Sequence, residues 1–474
     1  METQHLYSLF LKYPKICTDT RNIVPDSLFF ALRGDNFNAN AFAAEALEKG
    51  CARAVVDEAK YAVDERFIVV ENVLKTLQDL AHEHRQKWGK TIIGITGTNG
   101  KTTTKELTAS VLRQKFNVLF TQGNLNNHIG VPLTLLQLAD NHDIAVIEMG
   151  ANHPREIAAL CEIAAPDYGI VTNVGRAHLE GFGSFEGVMR TKAEMYAYLA
   201  PPSPPERGDV GHAQNTEKVE FPNNSSLLEG IGGSKIFINA NNPFLAQMAK
   251  KAGITATKME KYAVSSNARS NVCGNIVPKA IENVPFLSVV ITYRKAHIMS
   301  IVRTQLIGAY NLENVLAAAS IGNFFGVEID KIKSGIESYT PSNSRSQYVE
   351  TQRNKLIVDA YNANASSMRA AIENFAQIEA DKKTTNKTLI LGDMLELGAE
   401  SAAEHQNIVD LLKKNNFQTV FLVGNNFMNT KNDFCCFENS AQLSAFLQSQ
   451  LLENQLILIK GSHGMRLEKT VEML

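Results

Sequence analysis

The sequence has no strong excess of either charge, no long hydrophobic run and no localised basic stripe. Lysine and arginine together number 47 and aspartate and glutamate 49, so the formal net charge is −2. Basic residues cluster only in short pairs, which does not indicate binding to nucleic acid. The longest apolar runs have the length of a β-strand, whereas a membrane-spanning helix needs about 20 residues. We therefore expect neither nucleic acid as a partner nor insertion into a membrane.

Cysteine is scarce, and the N-terminus lacks the features of a secretory signal peptide. The segment Met1-Glu2-Thr3-Gln4-His5 has no basic region followed by a long apolar stretch. The cysteines are scattered without the spacing of metal ligands, at Cys17, Cys51, Cys161, Cys273, Cys435 and Cys436. This pattern is typical of reduced core thiols. We therefore expect a cytoplasmic protein.

The length and the alternation of strands and helices predict a multidomain α/β protein. A chain of 474 residues is too long for one ordinary core, and roughly two to four domains is the usual number. Strand-sized apolar runs alternate with helical patterns throughout, which predicts parallel sheets covered by helices on both faces. Polar breaks divide the chain into an N-terminal domain (1–88), a central domain (89–340) and a smaller, Rossmann-like C-terminal domain (341–474). The proline-, asparagine- and glycine-rich stretch 201–233 is predicted to be a mobile surface insertion.

The strongest chemical signal is a glycine-rich turn between a predicted strand, Ile92–Ile95, and a predicted helix. It reads Gly97-Thr98-Asn99-Gly100-Lys101-Thr102-Thr103. Such a turn and the following helix N-terminus present backbone N–H groups to phosphate oxygens. The lysine would reach the β- and γ-phosphates, and the first threonine would contact Mg²⁺. Ile95 stands where the strict pattern has glycine, so the match is to the shorter Gly-x-x-Gly-Lys-Thr form. A glycine-rich hairpin with a chance lysine is the alternative, which the strand and helix context disfavours.

Further candidates follow other strands of the predicted central sheet. Glu148 ends one strand and His178 lies in the loop after another, and both loops open at the same sheet edge as the phosphate loop. A carboxylate and an imidazole there could hold Mg²⁺. Taken alone, each is more typical of a cap or a structural residue, and the phosphate loop reverses that preference. Lys192, on a predicted helix from Phe185 to Leu199, is by its chemistry alone more typical of an exposed helix lysine.

Several short segments, which occur in the same order along the chain, resemble the Mur ligases of peptidoglycan synthesis. They are Thr96–Thr102, Gly123–Pro132, Glu148–His153, Thr172–Gly183, Gly308–Asn314, Asp359–Asn364 and Leu391–Gly398. The likeness is strongest to the branch that joins D-alanyl-D-alanine to UDP-N-acetylmuramoyl-tripeptide. Many matches in order over three domains are more specific than one phosphate loop. The resemblance implies an N-terminal domain for the UDP-sugar, a central ATPase and a C-terminal domain that closes over the nucleotide.

The resemblance also implies roles for individual residues. On the substrate side it points to Asp19, Thr20, Arg21, Arg33, Gly34, Asn126 and Asn127. Beside the phosphate loop, residues 97–103, it assigns ATP contacts to Asn311, Asn314, Arg345 and Asp359. Its metal positions are Thr102, Glu148, His178 and Lys192, the lysine being carbamylated and therefore anionic. Lys101, His178 and Lys192 are the implied catalytic residues.

The implied reaction is ATP-dependent formation of an acyl phosphate with Mg²⁺, followed by attack of the D-alanyl-D-alanine amine, in a monomer. Alternatives within the class are the ligase that adds the third amino acid, whose typical Asp-Asn-Pro-Arg motif is missing, and a folylpolyglutamate-type ligase, which lacks the 359–364 segment. A non-catalytic nucleotide-binding homologue is the alternative from another class. Departures from the family pattern at Ala365, at His463 and at Asn241-Asn242-Pro243 put the acceptor side in doubt more than the ATP chemistry. The residues leave the general base unidentified.

Overall fold

The computed structural model describes residues 3–200, 234–265, 270–277, 286–342, 344–378 and 386–474. The predicted insertion at 201–233 lies outside these residues. The described elements are a mixture of helices and largely parallel sheets, which confirms the predicted α/β class. A search of the described residues finds no helix that is long and apolar enough to cross a membrane.

The N-terminal unit, residues 3–88, is built on a parallel sheet with the strand order β1-β2-β5-β6. Its elements are α1 (Thr3–Lys12), β1 (Lys15–Cys17), β2 (Ser27–Phe30), β3 (Arg33–Gly34), β4 (Phe37–Asn38), α2 (Ala43–Glu48), β5 (Arg53–Val56), β6 (Phe67–Val69) and α3 (Val73–Trp88). Strands β3 and β4 form a separate antiparallel hairpin. The Asn72 side chain caps α3 by accepting from the Lys75 N–H, and Gly89 ends the helix at φ 67°. That left-handed conformation favours glycine at a helix end.

The central unit, residues 89–340, carries a large sheet with the order β15-β14-β13-β12-β11-β10-β7-β9-β8. Its strands are β7 (Thr91–Thr96), β8 (Val118–Phe120), β9 (Ile144–Glu148), β10 (Tyr168–Val171), β11 (Lys235–Asn239), β12 (Met259–Val264), β13 (Val272–Ile276), β14 (Phe286–Tyr293) and β15 (Ile298–Ile307). Its helices are α4 (Lys101–Leu112), α5 (Gly130–Leu135), α6 (Glu156–Ala164), α7 (Leu179–Phe182), α8 (Phe185–Leu199), α9 (Pro243–Lys251), α10 (Leu312–Phe324) and α11 (Ile329–Glu337).

The strands from β7 to β13 are parallel, as predicted, whereas β14 and β15 add an antiparallel hairpin to the sheet. Strands β7, β9 and β10 are almost entirely buried, which matches their continuous apolar sequence. In contrast, β14 alternates half-buried and buried residues because one face of the hairpin is partly accessible. The parallel core places the ends of β7, β9 and β10 side by side, and the predicted site residues follow these ends.

The C-terminal unit, residues 341–474, has a sheet with the order β16-β17-β21-β18-β19-β20, parallel except for β16. Its strands are β16 (Gln347–Glu350), β17 (Lys355–Asp359), β18 (Asn386–Gly392), β19 (Thr419–Val423), β20 (Cys435–Phe437) and β21 (Gln455–Lys460). Its helices are α12 (Ala365–Gln377), α13 (Ser401–Lys414), α14 (Asn425–Met428) and α15 (Ser440–Ser449). Helix α12 begins with a capping box, in which the Asn364 side chain and Ser367 satisfy each other's backbone N–H groups.

Helix α3 joins the N-terminal unit to the central unit through a shared apolar core. It packs on α5 and α6, and its residues Leu77, Leu80 and Ala81 are fully buried. The buried guanidinium of Arg85 donates to the Asp167 carboxylate at 2.9 Å, just before β10. The first two units therefore pack as one body, and the domain boundaries after residues 88 and 340 remain predictions.

Candidate active site

A cleft of about 1200 Å³ runs between the three units, at the carboxyl ends of β7, β9 and β10. Crevices at this edge of a parallel sheet are the usual ligand sites of α/β proteins. The predicted residues that line it are Thr98, Asn99, Gly100, Lys101, Thr102, Thr103, Asn126, Asn127, Glu148, His178, Asn311, Asn314, Arg345 and Asp359. The fold thus brings together residues that are more than 200 positions apart in the chain.

The phosphate loop connects β7 to α4 in a conformation that requires glycine at two positions. Gly97 has φ 141°, and a Cβ there would lie 2.0 Å from the Thr172 hydroxyl oxygen. Gly100 has φ 75° and is the N-cap of α4. The N-terminus of α4, with its free N–H groups and positive dipole end, opens directly behind this turn. The loop is therefore shaped to hold an anion.

Lys101 folds back over the phosphate loop. Its ammonium donates to the backbone carbonyls of Gly97 and Thr98, both at 3.0 Å. Burial lowers the pKa of Lys101, and the nearby Glu148 carboxylate opposes that shift. A cation held by two weak neutral acceptors at a cradle for anions is available to a phosphate.

Glu148, at the end of β9, has one carboxylate oxygen satisfied and one free. Its Oε1 accepts from the Thr102 hydroxyl at 3.2 Å and from the Asn126 amide at 2.8 Å. Its Oε2 is buried and accepts no hydrogen bond from any described residue, and the Lys105 ammonium is 3.9 Å away. An orphaned, buried carboxylate oxygen beside a threonine hydroxyl and a phosphate loop fits a hard divalent cation such as Mg²⁺. Among the described residues no group of three or more His, Cys, Asp or Glu forms a preassembled metal cage.

His178 lies in the loop between β10 and α7 at φ 51°, a left-handed conformation. Its Nδ1 is 2.5 Å from Oε2 of Glu396, which belongs to the C-terminal unit. The close contact with His178 lowers the pKa of the Glu396 carboxyl. Glu396 is a residue that the sequence argument did not select, although it lies within the matched segment Leu391–Gly398.

Lys192 is buried on α8 and lies behind the cleft rather than in its lining. Its ammonium is 5.4 Å from the centre of the Phe182 ring. In the described part of the chain it makes no hydrogen bond or ion pair. Burial first, and the positive charge of Lys101 second, lower the pKa of Lys192 to about 7. The lysine is therefore not the exposed helix residue that its chemistry alone suggested.

Asn311 and Asn314 join α10 to α4 beneath the phosphate loop. Asn314 donates to the Asn311 side-chain oxygen at 2.9 Å and accepts from the Thr104 hydroxyl at 3.1 Å. Asn311 in turn donates to the Ile307 carbonyl at 2.8 Å. Both asparagines reach the cleft lining, so they combine a structural network with an accessible polar surface.

The C-terminal unit covers the phosphate loop from the opposite side. The Arg345 guanidinium lies 3.7 Å from the centre of the Tyr361 ring, and Asp359 accepts from the buried Lys460 ammonium at 2.6 Å. Asn99 in the phosphate loop exchanges hydrogen bonds with the start of α12, accepting from Asn364 at 2.8 Å and donating to the Ser366 hydroxyl at 3.2 Å.

Comparison with known proteins agrees with this architecture. The family model of the Mur ligase middle domain matches residues 95–203, and that of the Mur ligase, glutamate ligase domain matches residues 344–463. A UDP-N-acetylmuramoyl-tripeptide–D-alanyl-D-alanine ligase of Escherichia coli (strain K12) is 33% identical, with 97% of this chain and 93% of the relative covered. This chain belongs to the Mur ligase family. A Bacillus subtilis (strain 168) ligase of the same name is 30% identical over 97% of this chain and 92% of the relative.

Solved structures give the same result for the fold. The crystal structure of MurF from Acinetobacter baumannii superposes with a TM-score of 0.78 at 26% identity, covering 99% of this chain and 97% of that one. The ADP complex of MurF from Thermotoga maritima has a TM-score of 0.77 at 22% identity, covering 98% and 97%, which supports the fold. Mur ligases are ATP-dependent amide ligases, so this chain is an ATP-dependent amide ligase.

The residues expected on the UDP-sugar side of this Mur ligase lie apart from the cleft. Neither Asp19, Thr20 and Arg21 nor Arg33 and Gly34 line it. Arg21 is paired with Asp19, which lowers the pKa of that carboxyl to about 2. Arg33, in the β3–β4 hairpin, is half exposed and lies 3.7 Å from the Asp57 carboxylate. Their role in substrate binding remains a prediction.

Several cleft residues of this Mur ligase were missed because their signal is positional. Tyr361, Asn364 and Lys460 line the cleft, and each lies at or just beyond the end of a strand in the C-terminal unit. Tyr361 and Asn364 lie inside the segment Asp359–Asn364, which resembles the Mur ligases. Their position after a strand end within that segment could have indicated them. Asn127, in contrast, was selected as a substrate residue, and its side chain accepts from the N–H groups of Ile129 and Gly130 at the start of α5.

Proposed function

We propose that this chain joins D-alanyl-D-alanine to UDP-N-acetylmuramoyl-tripeptide with hydrolysis of ATP to ADP and phosphate. The observation that carries the proposal is a cleft lined by the phosphate loop and the Glu148 carboxylate. This cleft lies in a chain that matches UDP-N-acetylmuramoyl-tripeptide–D-alanyl-D-alanine ligases over 97% of its length. The relatives favour this branch over the ligase that adds the third amino acid. The presence of Lys101, Glu148 and His178 in the cleft argues against a non-catalytic homologue.

The first step is transfer of the γ-phosphoryl group. A carboxylate oxygen of the tripeptide attacks the γ-phosphorus, the bond to the β,γ-bridging oxygen breaks, and ADP leaves with an acyl phosphate formed. The loop N–H groups, the N-terminus of α4 and Lys101 stabilise the charge that develops on the phosphate oxygens. Arg345, in the lining opposite Lys101, adds a second cation on the side of the C-terminal unit.

The second step forms the amide. The amine of D-alanyl-D-alanine attacks the acyl carbon, inorganic phosphate leaves, and the amine nitrogen loses a proton. The cleft walls orient the two reactants and limit the access of water, which would otherwise hydrolyse the acyl phosphate.

Residues Thr102, Glu148 and His178 are proposed to hold Mg²⁺. When bound, the ion neutralises the negative charge of the phosphate oxygens. The orphaned Oε2 of Glu148 supports this assignment, since a buried carboxylate oxygen without a partner is otherwise unfavourable. The Asn126 amide orients Glu148 by donating to its other oxygen.

Lys192 is proposed to be carbamylated. The lysine ammonium first loses a proton; the neutral amine then adds to CO₂, forms a nitrogen–carbon bond and releases a second proton, so that the initial cation becomes an anion. Support comes from the burial of Lys192 and from a pKa lowered to about 7, which makes much of the amine neutral at physiological pH. An anion at this position would also relieve the repulsion from Lys101.

The remaining assignments concern the molecule as a whole. We propose that residues 1–88 bind the UDP-sugar through the Asp19–Arg21 and Arg33–Gly34 segments, that residues 89–340 form the ATPase domain, and that residues 341–474 close over the nucleotide. The enzyme is proposed to act as a monomer in the cytoplasm, where ATP and the nucleotide-linked precursor are both present.

The function is tested by measuring phosphate release from ATP and Mg²⁺ with the UDP-linked tripeptide, with and without D-alanyl-D-alanine. Turnover that requires both substrates, with one amide formed per ATP, is the expected result. A preference for a single amino acid over the dipeptide would leave the acyl-phosphate chemistry intact and contradict the branch. Absence of turnover with every acceptor would favour the non-catalytic homologue.

A further inference from the structure

A carboxylate from the C-terminal unit reaches across the cleft to a residue of the central unit. Oε2 of Glu396 is 2.5 Å from Nδ1 of His178, and the two side chains are 55% and 21% exposed. Both residues have left-handed backbone conformations, with φ 67° and φ 51°. The loops that carry them approach closely, because a Cβ on Gly398 would lie 3.4 Å from the Glu180 Cβ.

The contact selects one form of the imidazole ring. A carboxylate 2.5 Å from Nδ1 favours the proton on that nitrogen, so a neutral ring keeps its lone pair on Nε2. The Phe182 ring packs edge-on against the imidazole, with ring centres 6.2 Å apart. Histidines that bind metals commonly donate their other ring N–H to a carboxylate in this way, and loss of that carboxylate weakens metal binding by about 10- to 100-fold.

We propose that Glu396 is a positioning residue for the metal site, which holds His178 in the orientation and tautomer that a divalent cation requires. This inference rests on the proposed function, in which His178 is a metal ligand. Because Glu396 belongs to the C-terminal unit and His178 to the central unit, the metal site is complete only when the two units are docked. Docking of the C-terminal unit and tight metal binding are therefore coupled.

A neighbouring ion pair between the same two units provides a matched control. Arg176 and Glu400 lie 3.4 Å apart, two residues before His178 and four residues after Glu396, and both are exposed. Their contact also joins the central unit to the C-terminal unit, but it does not touch the imidazole. Removal of the Glu400 charge therefore tests the docking contact alone, whereas removal of the Glu396 charge tests the imidazole as well.

The experiment is a titration of the full chain with Mn²⁺, followed by electron paramagnetic resonance. One equivalent of a non-hydrolysable ATP analogue is present, at protein concentrations where nearly all of the analogue is bound. We expect Glu396→Gln to raise the Mn²⁺ dissociation constant about 10-fold or more, and Glu400→Gln to leave it within about twofold of the wild type. Because the Glu396 side chain is exposed, Glu396→Gln should fold like the wild type. The midpoint of thermal unfolding of the variant checks this.

A double-mutant cycle with His178→Ala separates the possible outcomes. If Glu396 acts through His178, the double variant binds Mn²⁺ no more weakly than His178→Ala alone. Wild-type affinity in Glu396→Gln, with weakened affinity in His178→Ala, would overturn this inference and leave the metal role of His178 intact. Wild-type affinity in both single variants would overturn the inference together with the metal assignment of His178. Additive effects of the two substitutions would show that Glu396 acts elsewhere.

Discussion

Single residues in the cleft lining and behind it carry charges that have few protein partners. Glu148 has a buried oxygen that accepts no hydrogen bond within the described part of the chain, and Lys192 is a buried lysine on the inner side of α8. Such groups lower the stability of a protein unless a ligand or a modification compensates them. Their concentration around the phosphate loop therefore indicates a site built for charged ligands, with stability exchanged for function.

Lys101 is expected to be essential for phosphoryl transfer. Lys101→Ala removes the cation over the phosphate loop, and we expect kcat to fall by roughly 100-fold or more, since the charge acts on the transition state. Lys115→Ala is the matched control. Lys115 follows the end of α4, and its ammonium also donates to two backbone carbonyls, those of Phe325 and Gly326. Phosphate release at saturating substrates measures both. Equal activity of the two variants would contradict the assignment.

The buried ammonium of Lys192 is expected to make stability depend on pH. Its pKa is about 7 in the folded protein against 10.5 as the ordinary value, so the unfolded chain binds more protons between these values. The unmodified lysine therefore destabilises the protein fully below about pH 7, and the effect disappears as the pH rises towards 10. In CO₂-free buffer at pH 6, Lys192→Met should raise the free energy of unfolding by roughly a few kcal/mol. At pH 10 the same substitution should raise it by much less. A difference that does not change with pH, in urea unfolding, would refute this account.

Carbamylation of Lys192 makes a separate prediction. Lys192→Ala should lose activity, because it removes the proposed anion, and short carboxylic acids should restore part of it by occupying the space and supplying a carboxylate. The wild type assayed with the same acids controls for general effects of the added salt. Full activity of Lys192→Ala without any acid would exclude the carbamate.

At the residue scale, the sequence was most informative where the signal is local. The phosphate loop was predicted because its residues are contiguous and lie between a strand and a helix. Glu396 and Asn364 were not, because their contacts with His178 and Asn99 depend on how two distant units dock. The burial of Lys192 was available from the pattern, since it falls on the buried face of α8 with Val188, Met195 and Leu199.

Among the elements, the turn from β7 into α4 depends most strictly on sequence. A Cβ at Gly100 would lie 2.5 Å from the Asn314 side-chain oxygen, in addition to the left-handed φ of 75°. Gly253, after α9, has φ 76° but open space around its Cβ position. The two glycines therefore have the same backbone requirement, but only at Gly100 would an added Cβ clash with a neighbouring side chain.

Alanine substitution at these two glycines separates the effects. Gly253→Ala should cost roughly 1–2 kcal/mol of unfolding free energy from backbone strain. Gly100→Ala should cost about 1–3 kcal/mol more because it displaces Asn314, and it should also weaken ATP binding. Urea unfolding and nucleotide titration measure the two quantities. Equal losses of stability, with ATP affinity unchanged, would show that the Gly100–Asn314 contact is unimportant.

The element predictions were accurate for parallel strands and incomplete for the edges of the sheets. Strands β7, β9 and β10 were predicted because fully buried strands are continuous apolar runs. The antiparallel hairpin of β14 and β15 was missed, although β14 has the period-2 burial of a strand with one accessible face. Sheet order and the direction of an added hairpin depend on tertiary packing, so local patterns do not determine them.

Over the whole molecule, two apolar residues of the central unit, Phe286 and Ile307, pack against the core of the C-terminal unit, which meets the cleft through polar contacts. The polar contacts include the Asn99–Asn364 hydrogen bond and the Arg176–Glu400 ion pair. Interfaces of this kind between domains commonly permit relative motion. The N-terminal unit differs, because α3 shares an apolar core with the central unit and Arg85 forms a buried ion pair with Asp167.

This difference predicts which unit moves. Small-angle scattering should show a smaller radius of gyration with the ATP analogue, Mg²⁺ and the UDP-linked tripeptide bound than without ligands, since the ligands bridge the cleft. ADP alone is the control and should produce a smaller change. An unchanged radius with all ligands bound would contradict closure of the C-terminal unit.

The ion pair between Arg85 and Asp167 gives a prediction for the body formed by the first two units. Arg85→Ala should lower the free energy of unfolding of this body by about 3–5 kcal/mol, because it leaves the buried Asp167 carboxylate without its ion-pair partner.

The central claim is that the cleft activates a carboxylate as an acyl phosphate, and isotope transfer tests it most directly. The UDP-linked tripeptide is prepared with ¹⁸O in its free carboxylate and incubated with the enzyme, ATP, Mg²⁺ and D-alanyl-D-alanine. Mass spectrometry of the released phosphate should find one ¹⁸O atom per phosphate derived from a fully labelled carboxylate, because the attacking oxygen leaves with the phosphoryl group. Amide formation with unlabelled phosphate would contradict the acyl-phosphate mechanism.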